Sequence, residues 1–265
     1  MRDLSYLKEF YDSREEDPRL LTRHGTVEFT VTMHYIEKYL KPGMRVLEIG
    51  AGTGRYAHTL ARRSFAVDAV ELVEANIEVF RANTEAGENI SIRQGDALDL
   101  ADFADEAYDI TLLLGPMYHL YEDAQKAQAL REALRVTKPG GVLFTAYCIA
   151  ELAILQHGFL RGNLSALMEK GLLHPETFEA SSTPAEVFEL CRREDIDRLN
   201  AQFPVQRLHY VATDLFSEML EEQLSALDEE SFAMYLKYQL FLCERPDVTG
   251  MTGHSLDVVR KAGAL

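Results

Sequence analysis

The chain has no tryptophan, only three cysteines and only eight prolines in 265 residues. Cys148, Cys191 and Cys243 are widely spaced and form no Cys-x-x-Cys or Cys/His cluster, so neither a disulfide framework nor a zinc site is suggested. The expectation is reduced thiols, at least two of them buried, and no metal. No run of about 18 apolar residues occurs, so no membrane-spanning helix is expected. The opening stretch, MRDLSYLKEFYDSREEDPRLL, is charged and mixed and lacks the apolar centre of a secretory signal, which points to a cytoplasmic protein with no membrane partner. Positive charge is also scarce: 27 Lys and Arg stand against 43 Asp and Glu, a formal net charge of -16. That balance repels phosphate backbones at long range, and the basic residues are scattered in pairs such as Arg62-Arg63 and Arg192-Arg193, so no nucleic-acid partner is expected.

The chain does hold enough apolar residues, 47%, to bury a full core, and one domain is the expected organisation. From residue 45, short aliphatic runs alternate with helical stretches, the rhythm of βαβ units around a parallel sheet. The runs are 45 to 50, 66 to 72, 90 to 95, 108 to 115 and 141 to 148, and the intervening segments carry apolar residues at helical spacing. The helix before the fifth run is expected to stop at Lys138-Pro139-Gly140-Gly141, because proline cannot continue it and glycine accepts a left-handed turn. Residues 149 to 204 interrupt the rhythm as a helical insertion, with Thr183-Pro184-Ala185-Glu186 reading as a capped helix start. Strands at 205 to 213 and 254 to 261, with helices at 214 to 227 and 229 to 244, complete the chain. Residues 1 to 41 read as two or three helices.

The stretch VLEIGAGTGRYA (46 to 57) places three glycines directly after the first strand and before a helix. A strand, a glycine turn and a helix put backbone N–H groups and open space at the carboxyl edge of a parallel sheet, where ligands bind. Gly50, Gly52 and Gly54 would let the backbone approach a ligand with no β-carbon between them. A dinucleotide fingerprint would need glycine where Arg55 stands. Glu71, at the end of the second strand, is placed to accept hydrogen bonds from both ribose hydroxyls. Asp96 in Gly95-Asp96-Ala97 can accept from an adenine amine while the Ala97 N–H donates to the ring. Together these features point to an adenosine-containing ligand with a free 2′-hydroxyl.

In this order of parts, residues 45 to 148 resemble the core of the class I S-adenosylmethionine-dependent methyltransferases: the E-x-G-x-G-x-G turn at 48 to 54, acidic Glu71, Asp96 in GDA, LLLGPMYHL at 112 to 120 and LREALRVTKPGGVLFTAY at 130 to 147. The resemblance implies a three-layer α/β Rossmann-like sandwich with a seven-stranded, mostly parallel sheet of order 3-2-1-4-5-7-6, the last strand antiparallel. The single domain would comprise a helical cap (1–41), a core (42–148 and 205–265) and a helical lid (149–204) between strands 5 and 6. The implied cofactor is S-adenosylmethionine, with S-adenosylhomocysteine as product. Gly50, Gly52 and Gly54 would pass its methionine and ribose portions, Glu48 would orient its ammonium, and Glu71 would hold the ribose. Leu72 would lie against the adenine, Asp96 and Ala97 would read its edge, and Leu114 and Gly115 would line the methyl end.

Methyl transfer from a sulfonium is an in-line displacement that the donor's own reactivity drives, so the protein's task is to align the partners and exclude water. His119, after the fourth strand, is the candidate general base, with a structural, backbone-bonding role as the alternative. Tyr118, Tyr147 and His209 are candidates for the acceptor pocket. Tyr6 and Tyr11 either cover the acceptor or form a docking face. Arg23, in a segment that also carries Glu28 and Thr32 at helical spacing, is a candidate for the donor's carboxylate or else a surface arginine. His58 reads as packing, and His157, His174 and His254 carry no positional signal. The site has Gly-Pro-Met-Tyr where methyltransferases of nucleobase amines carry Asn or Asp before Pro-Pro-Tyr, which favours a small-molecule acceptor attacking through O or N. A nicotinamide-dependent oxidoreductase and a non-catalytic donor-binding protein are the alternatives, and the protein is expected to be a monomer or homodimer.

Overall fold

The computed structural model describes residues 4–12 and 21–263. Its sheet is built from β1 (Arg45–Ile49), β2 (Ala66–Glu71), β3 (Ile90–Gln94), β4 (Tyr108–Leu113), β5 (Thr137–Ile149), β6 (Leu190–Cys191), β7 (Val205–Ala212) and β8 (His254–Lys261). The order is β3-β2-β1-β4-β5-β8-β7; β1 to β5 run parallel, and β8 is antiparallel to both neighbours. This is the expected topology with one addition. The two-residue β6, inside the insertion expected to be helical, pairs parallel with Cys148 and Ile149 and makes the sheet eight-stranded.

β1 and β4 are buried along nearly their whole length because both of their faces are covered. One face packs Leu47, Ile49, Leu143 and Tyr147 against α5 (Asp123–Val136). The other packs Val46, Leu112 and Phe144 against α2 (Arg23–Glu37) and α3 (Arg55–Arg62). α2 turns Val27, Val31 and Tyr35 inward at four-residue spacing, and the Thr22 hydroxyl caps it by accepting from the Gly25 N–H. α1 (Ser5–Asp12) precedes it, and α4 (Glu74–Ala82) crosses between β2 and β3. All three cysteines are buried.

Two helical expectations shrink. Within 214 to 227 only α9 (Glu221–Ser225) is helical; Asp214 draws the chain instead into a turn, accepting from the N–H groups of Gly253 and His254. The Thr183 cap has its capping box, but it opens only the single 3₁₀ turn Pro184–Glu186, because Val187 adopts a left-handed φ of 69° that ends the winding. The remaining helices of the insertion are α6 (Ala150–Ala153), continued by a π-helical turn over Ile154–Leu160, α7 (Leu164–Glu169) and α8 (Arg193–Asn200); α10 (Glu229–Leu242) precedes β8. Among the described residues no helix is long and apolar enough to cross a membrane.

Candidate active site

β1 is flanked by β2 on one side and β4 on the other, so the chain leaves it at the point where the strand order reverses and a crevice opens at the strands' carboxyl ends. A cavity of about 1140 Å³, including its open mouth, occupies that crevice. The Gly50 and Ala51 N–H groups both donate to the Val70 carbonyl, at 2.8 and 3.0 Å, which bends the chain sharply over β2. Gly50, Gly52 and Gly54 all have positive φ, 75°, 55° and 92°. Their environments differ. A β-carbon on Gly52 would meet nothing within 4 Å, whereas one on Gly50 would lie 2.5 Å from Pro116 and one on Gly54 2.5 Å from the Phe80 ring. Gly52 is therefore the glycine that keeps space open, and Gly54 is the one that lets α3 close on α4. Gly54 is not part of the cavity wall, though its neighbours Thr53 and Arg55 are.

Two carboxylates brace this turn. Glu71 is buried; its Oε2 accepts from the Gly52 N–H at 2.8 Å and its Oε1 from the Val73 N–H at 2.9 Å, which fixes β2's end to the glycine loop. Glu48 is 1% exposed, and its Oε2 has no hydrogen-bond partner among the described residues. Burial pushes its carboxyl up to about 8, against a smaller opposing effect of the Ala57 N–H, and the charge of Glu71 adds to the rise. An orphaned acid oxygen in a cavity wall is a place prepared for a cation. Leu72, Asp96, Ala97, Leu114 and Gly115 also line the cavity; the Asp96 Oδ1 accepts from the Leu98 N–H.

The far wall comes from α1, α2 and the 3₁₀ turn Pro116–His119. Tyr11, Tyr118 and His119 all reach the cavity. The Tyr118 hydroxyl donates to the Leu114 carbonyl at 2.9 Å. His119 has its Nδ1 3.0 Å from the Val187 carbonyl, which can only accept, so Nδ1 carries the proton and Nε2 accepts from the Tyr11 hydroxyl at 2.9 Å. Both nitrogens are thus engaged in tying α1 and the insertion to the sheet, the arrangement of a structural histidine.

Besides Gly54, four candidates from the sequence lie outside the cavity wall. Arg23 donates to Glu229 at 2.6 Å and sits 4.2 Å from the Phe232 ring centroid, drawn to α10 by a carboxylate the sequence could not place beside it. Tyr147 alternates with Ala146, so when Ala146 lines the cavity Tyr147 faces the opposite core layer. His209 is held between the Tyr39 hydroxyl (2.7 Å) and Glu244 (2.6 Å) at the rim of the sheet. Tyr6 lies edge-on to Tyr121, while Leu7 and Tyr11, four residues apart on the same helix, face the cavity.

The structure adds Arg55, Glu28, Thr32 and Thr213 to the wall. Arg55, 4.1 Å from the Phe29 ring centroid, is the cation at the mouth of the glycine turn. Glu28 and Thr32 are four apart on α2, and that spacing was the available signal.

The family model described as "Methyltransferase domain" matches residues 46–141. The ubiquinone biosynthesis O-methyltransferase of Azorhizobium caulinodans is 33% identical over 129 residues, 47% of this chain and 49% of the relative. The release factor glutamine methyltransferase of Bacillus subtilis is 33% identical over 147 residues, 51% and 50% of the two chains. Residues 46–141 thus match a methyltransferase domain, and the chain shares its fold with S-adenosylmethionine-dependent methyltransferases. It spans about half the length of the curated relatives it matches. Two solved structures share the fold throughout: a Thermotoga maritima methyltransferase described as a possible histamine N-methyltransferase (TM-score 0.62, 21% identity, covering 98% of this chain and 100% of that one) and the magnesium protoporphyrin IX methyltransferase of Synechocystis with bound S-adenosylhomocysteine (0.60, 14%, 98% and 100%). The cofactor of the methyltransferases it resembles is S-adenosylmethionine, and the cavity of this chain fits it on three observations: the Glu48 oxygen without a partner among the described residues, the open face of Gly52, and the buried acid at the end of β2.

Proposed function

We propose that the protein transfers a methyl group from S-adenosylmethionine to an oxygen or nitrogen of a small molecule. The observation that carries the reading is Glu48, whose buried carboxyl oxygen has no partner among the described residues, in the wall of a cavity whose loop has been cleared of side chains at Gly52. In this reading Glu48 holds the donor's ammonium, and Glu71 receives the ribose hydroxyls on the lone pairs that its backbone donors leave over. Asp96 and Ala97 face the adenine edge beside Leu72, and Leu114 and Gly115 border the methyl group. Arg55, which lines the cavity as Arg23 does not, is the cation that would face the donor's carboxylate. When bound, the cofactor supplies an activated methyl group on a neutral leaving sulfur; this chain's residues orient the two partners, and the cap and insertion exclude water from between them.

The net charge of -16 and the Gly-Pro-Met-Tyr sequence at 115–118 support a small acceptor over nucleic acid. The single domain with residues 1–41 as cap, of which 1–3 and 13–20 lie outside the described residues, and 149–204 as lid is part of the same proposal, as is a monomeric or homodimeric state in the cytoplasm. The test has two arms. Calorimetry should give micromolar binding of S-adenosylhomocysteine and none of NADH. Incubation with methyl-deuterated donor and a cell extract should label at least one small molecule by mass spectrometry, and tight donor binding without any labelled product would defeat the enzymatic reading.

A further inference from the structure

His254, without positional signal in the sequence, begins β8 opposite Cys148. Leu256, two residues on and hence on the same strand face, lines the cavity, as do Tyr118 and Glu28; His254 and Asp214 are not themselves part of the wall but are in reach of it through Glu28 and Tyr118. The His254 ring centroid is 6.3 Å from that of Tyr118, and a ring nitrogen of His254, an oxygen of Glu28 and an oxygen of Asp214 lie within 4.8 Å of one another. Asp214 is buried and rigidly held. Its Oδ1 accepts from the Thr252 hydroxyl (2.7 Å) and from the N–H groups of Gly253 and His254 (both 2.9 Å), and its Oδ2 meets His254 Nδ1 at 2.6 Å. A β-carbon on Gly253 would come within 2.9 Å of Oδ2, so glycine is what allows this approach. Since a carboxylate only accepts, Nδ1 is the protonated nitrogen and Nε2 is the one left for chemistry.

We propose, building on the methyl-transfer reading, that His254 accepts the proton of the methyl acceptor, with Asp214 as its positioning residue and Glu28 as the carboxylate that faces it across the acceptor site. In the balanced step the acceptor X–H forms the X–CH₃ bond, the electron pair of the broken C–S bond stays on sulfur, and the proton on X passes to Nε2. The imidazolium produced stands between two carboxylates. The groups facing His254 are Glu28 from α2, Asp214 after β7, the Cys148 thiol of β5 and the Tyr118 ring. Burial opposes charge on the ring, but Glu28, Cys148 and Asp214 outweigh it and hold His254 well above its ordinary value. The basic form therefore gains population as pH rises. A divalent cation is the competing use of these side chains, and it would have to break the 2.6 Å bond between Asp214 and His254.

The experiment measures deuteromethyl incorporation into the small-molecule fraction of a cell extract from pH 5.5 to 9.5, alongside calorimetry with S-adenosylhomocysteine. Wild type should show a rate limb that ascends with pH. His254→Asn should bind S-adenosylhomocysteine as wild type does, yet lose about 10² to 10⁴ in rate together with the limb. Glu28→Gln, with one facing carboxylate neutralised, should move the limb about 1 to 3 pH units lower. Should His254→Asn fail to fold, the position of the Glu28→Gln limb decides alone. A His254→Asn rate within threefold of wild type with the same limb, a Glu28→Gln limb left in place, or activity abolished by chelator and restored by Mg²⁺ would each overturn the role. If wild type binds S-adenosylhomocysteine but labels nothing, it is the transferase reading that fails, and this role with it.

Discussion

Replacing Glu48 by glutamine should make the protein more stable at alkaline pH while weakening donor binding. Glutamine keeps the shape and the oxygen that accepts from the Ala57 N–H, and it removes a charge that this buried site disfavours. Below about pH 4.5 the carboxyl is neutral in both folded and unfolded chains. Between 4.5 and about 8 the unfolded chain has ionised and the folded one has not, so every increment of pH favours unfolding; above 8 the penalty is constant. At 1.36 kcal/mol per pH unit the penalty is about 2 kcal/mol at pH 6 and about 5 kcal/mol at pH 9. Thermal unfolding of wild type should therefore lose roughly 6 to 12 °C more between those pH values than Glu48→Gln does, at about 2 to 4 °C per kcal/mol for a chain near this size. In the same variant S-adenosylhomocysteine should bind about 10- to 150-fold more weakly, the value of one charge-assisted hydrogen bond. Wild type should release close to one proton per ligand bound at pH 7, read from calorimetry in buffers of different ionisation enthalpy. Parallel pH–stability curves for the two proteins would refute the buried, protonated state of Glu48; unchanged affinity would refute its contact with the ammonium.

The glycines divide differently. Gly54→Ala should cost about 2 to 5 kcal/mol of stability, from a left-handed φ and a collision with Phe80 in the core, whereas Gly52→Ala should cost about 1 to 2 kcal/mol and be felt mainly as lost S-adenosylhomocysteine affinity. Equal loss of melting temperature in the two would remove the distinction. Glu71→Gln should reduce donor affinity about 10- to 100-fold, because one charged acceptor serves both the Gly52 N–H and the proposed ribose contacts; titration by calorimetry reads it directly. Arg23→Ala should leave S-adenosylhomocysteine affinity within twofold of wild type, since its partner Glu229 is 89% exposed and such surface pairs contribute at most about 1 kcal/mol to stability. A tenfold loss would return Arg23 to the donor site.

Strand positions, the glycine turn, Glu48, Glu71 and the Asp96-Ala97 pair were legible in the sequence because each depends on neighbours close along the chain. A strand's alternation, a left-handed turn and an acid at a strand's last residue are local facts, and the parallel βαβ rhythm leaves few ways to arrange them. What tertiary structure decided was which side chains from distant segments meet. Arg23 went to Glu229, 206 residues away, and His209 to Glu244 and Tyr39, because ion pairs and rings at an interface choose partners that sequence spacing does not reveal. Tyr147 fell on the far face of β5 through the phase of a two-residue period counted from a strand start that sequence could place only within a few residues. Asp214 and His254 are 40 positions apart and became one unit only when β7 and β8 paired. The sequence alone determined the part of the cavity wall built from strand ends and backbone N–H groups; the opposite part was left to the fold, since it is assembled from α1, α2, the 3₁₀ turn and the start of β8, and only packing brings those four together.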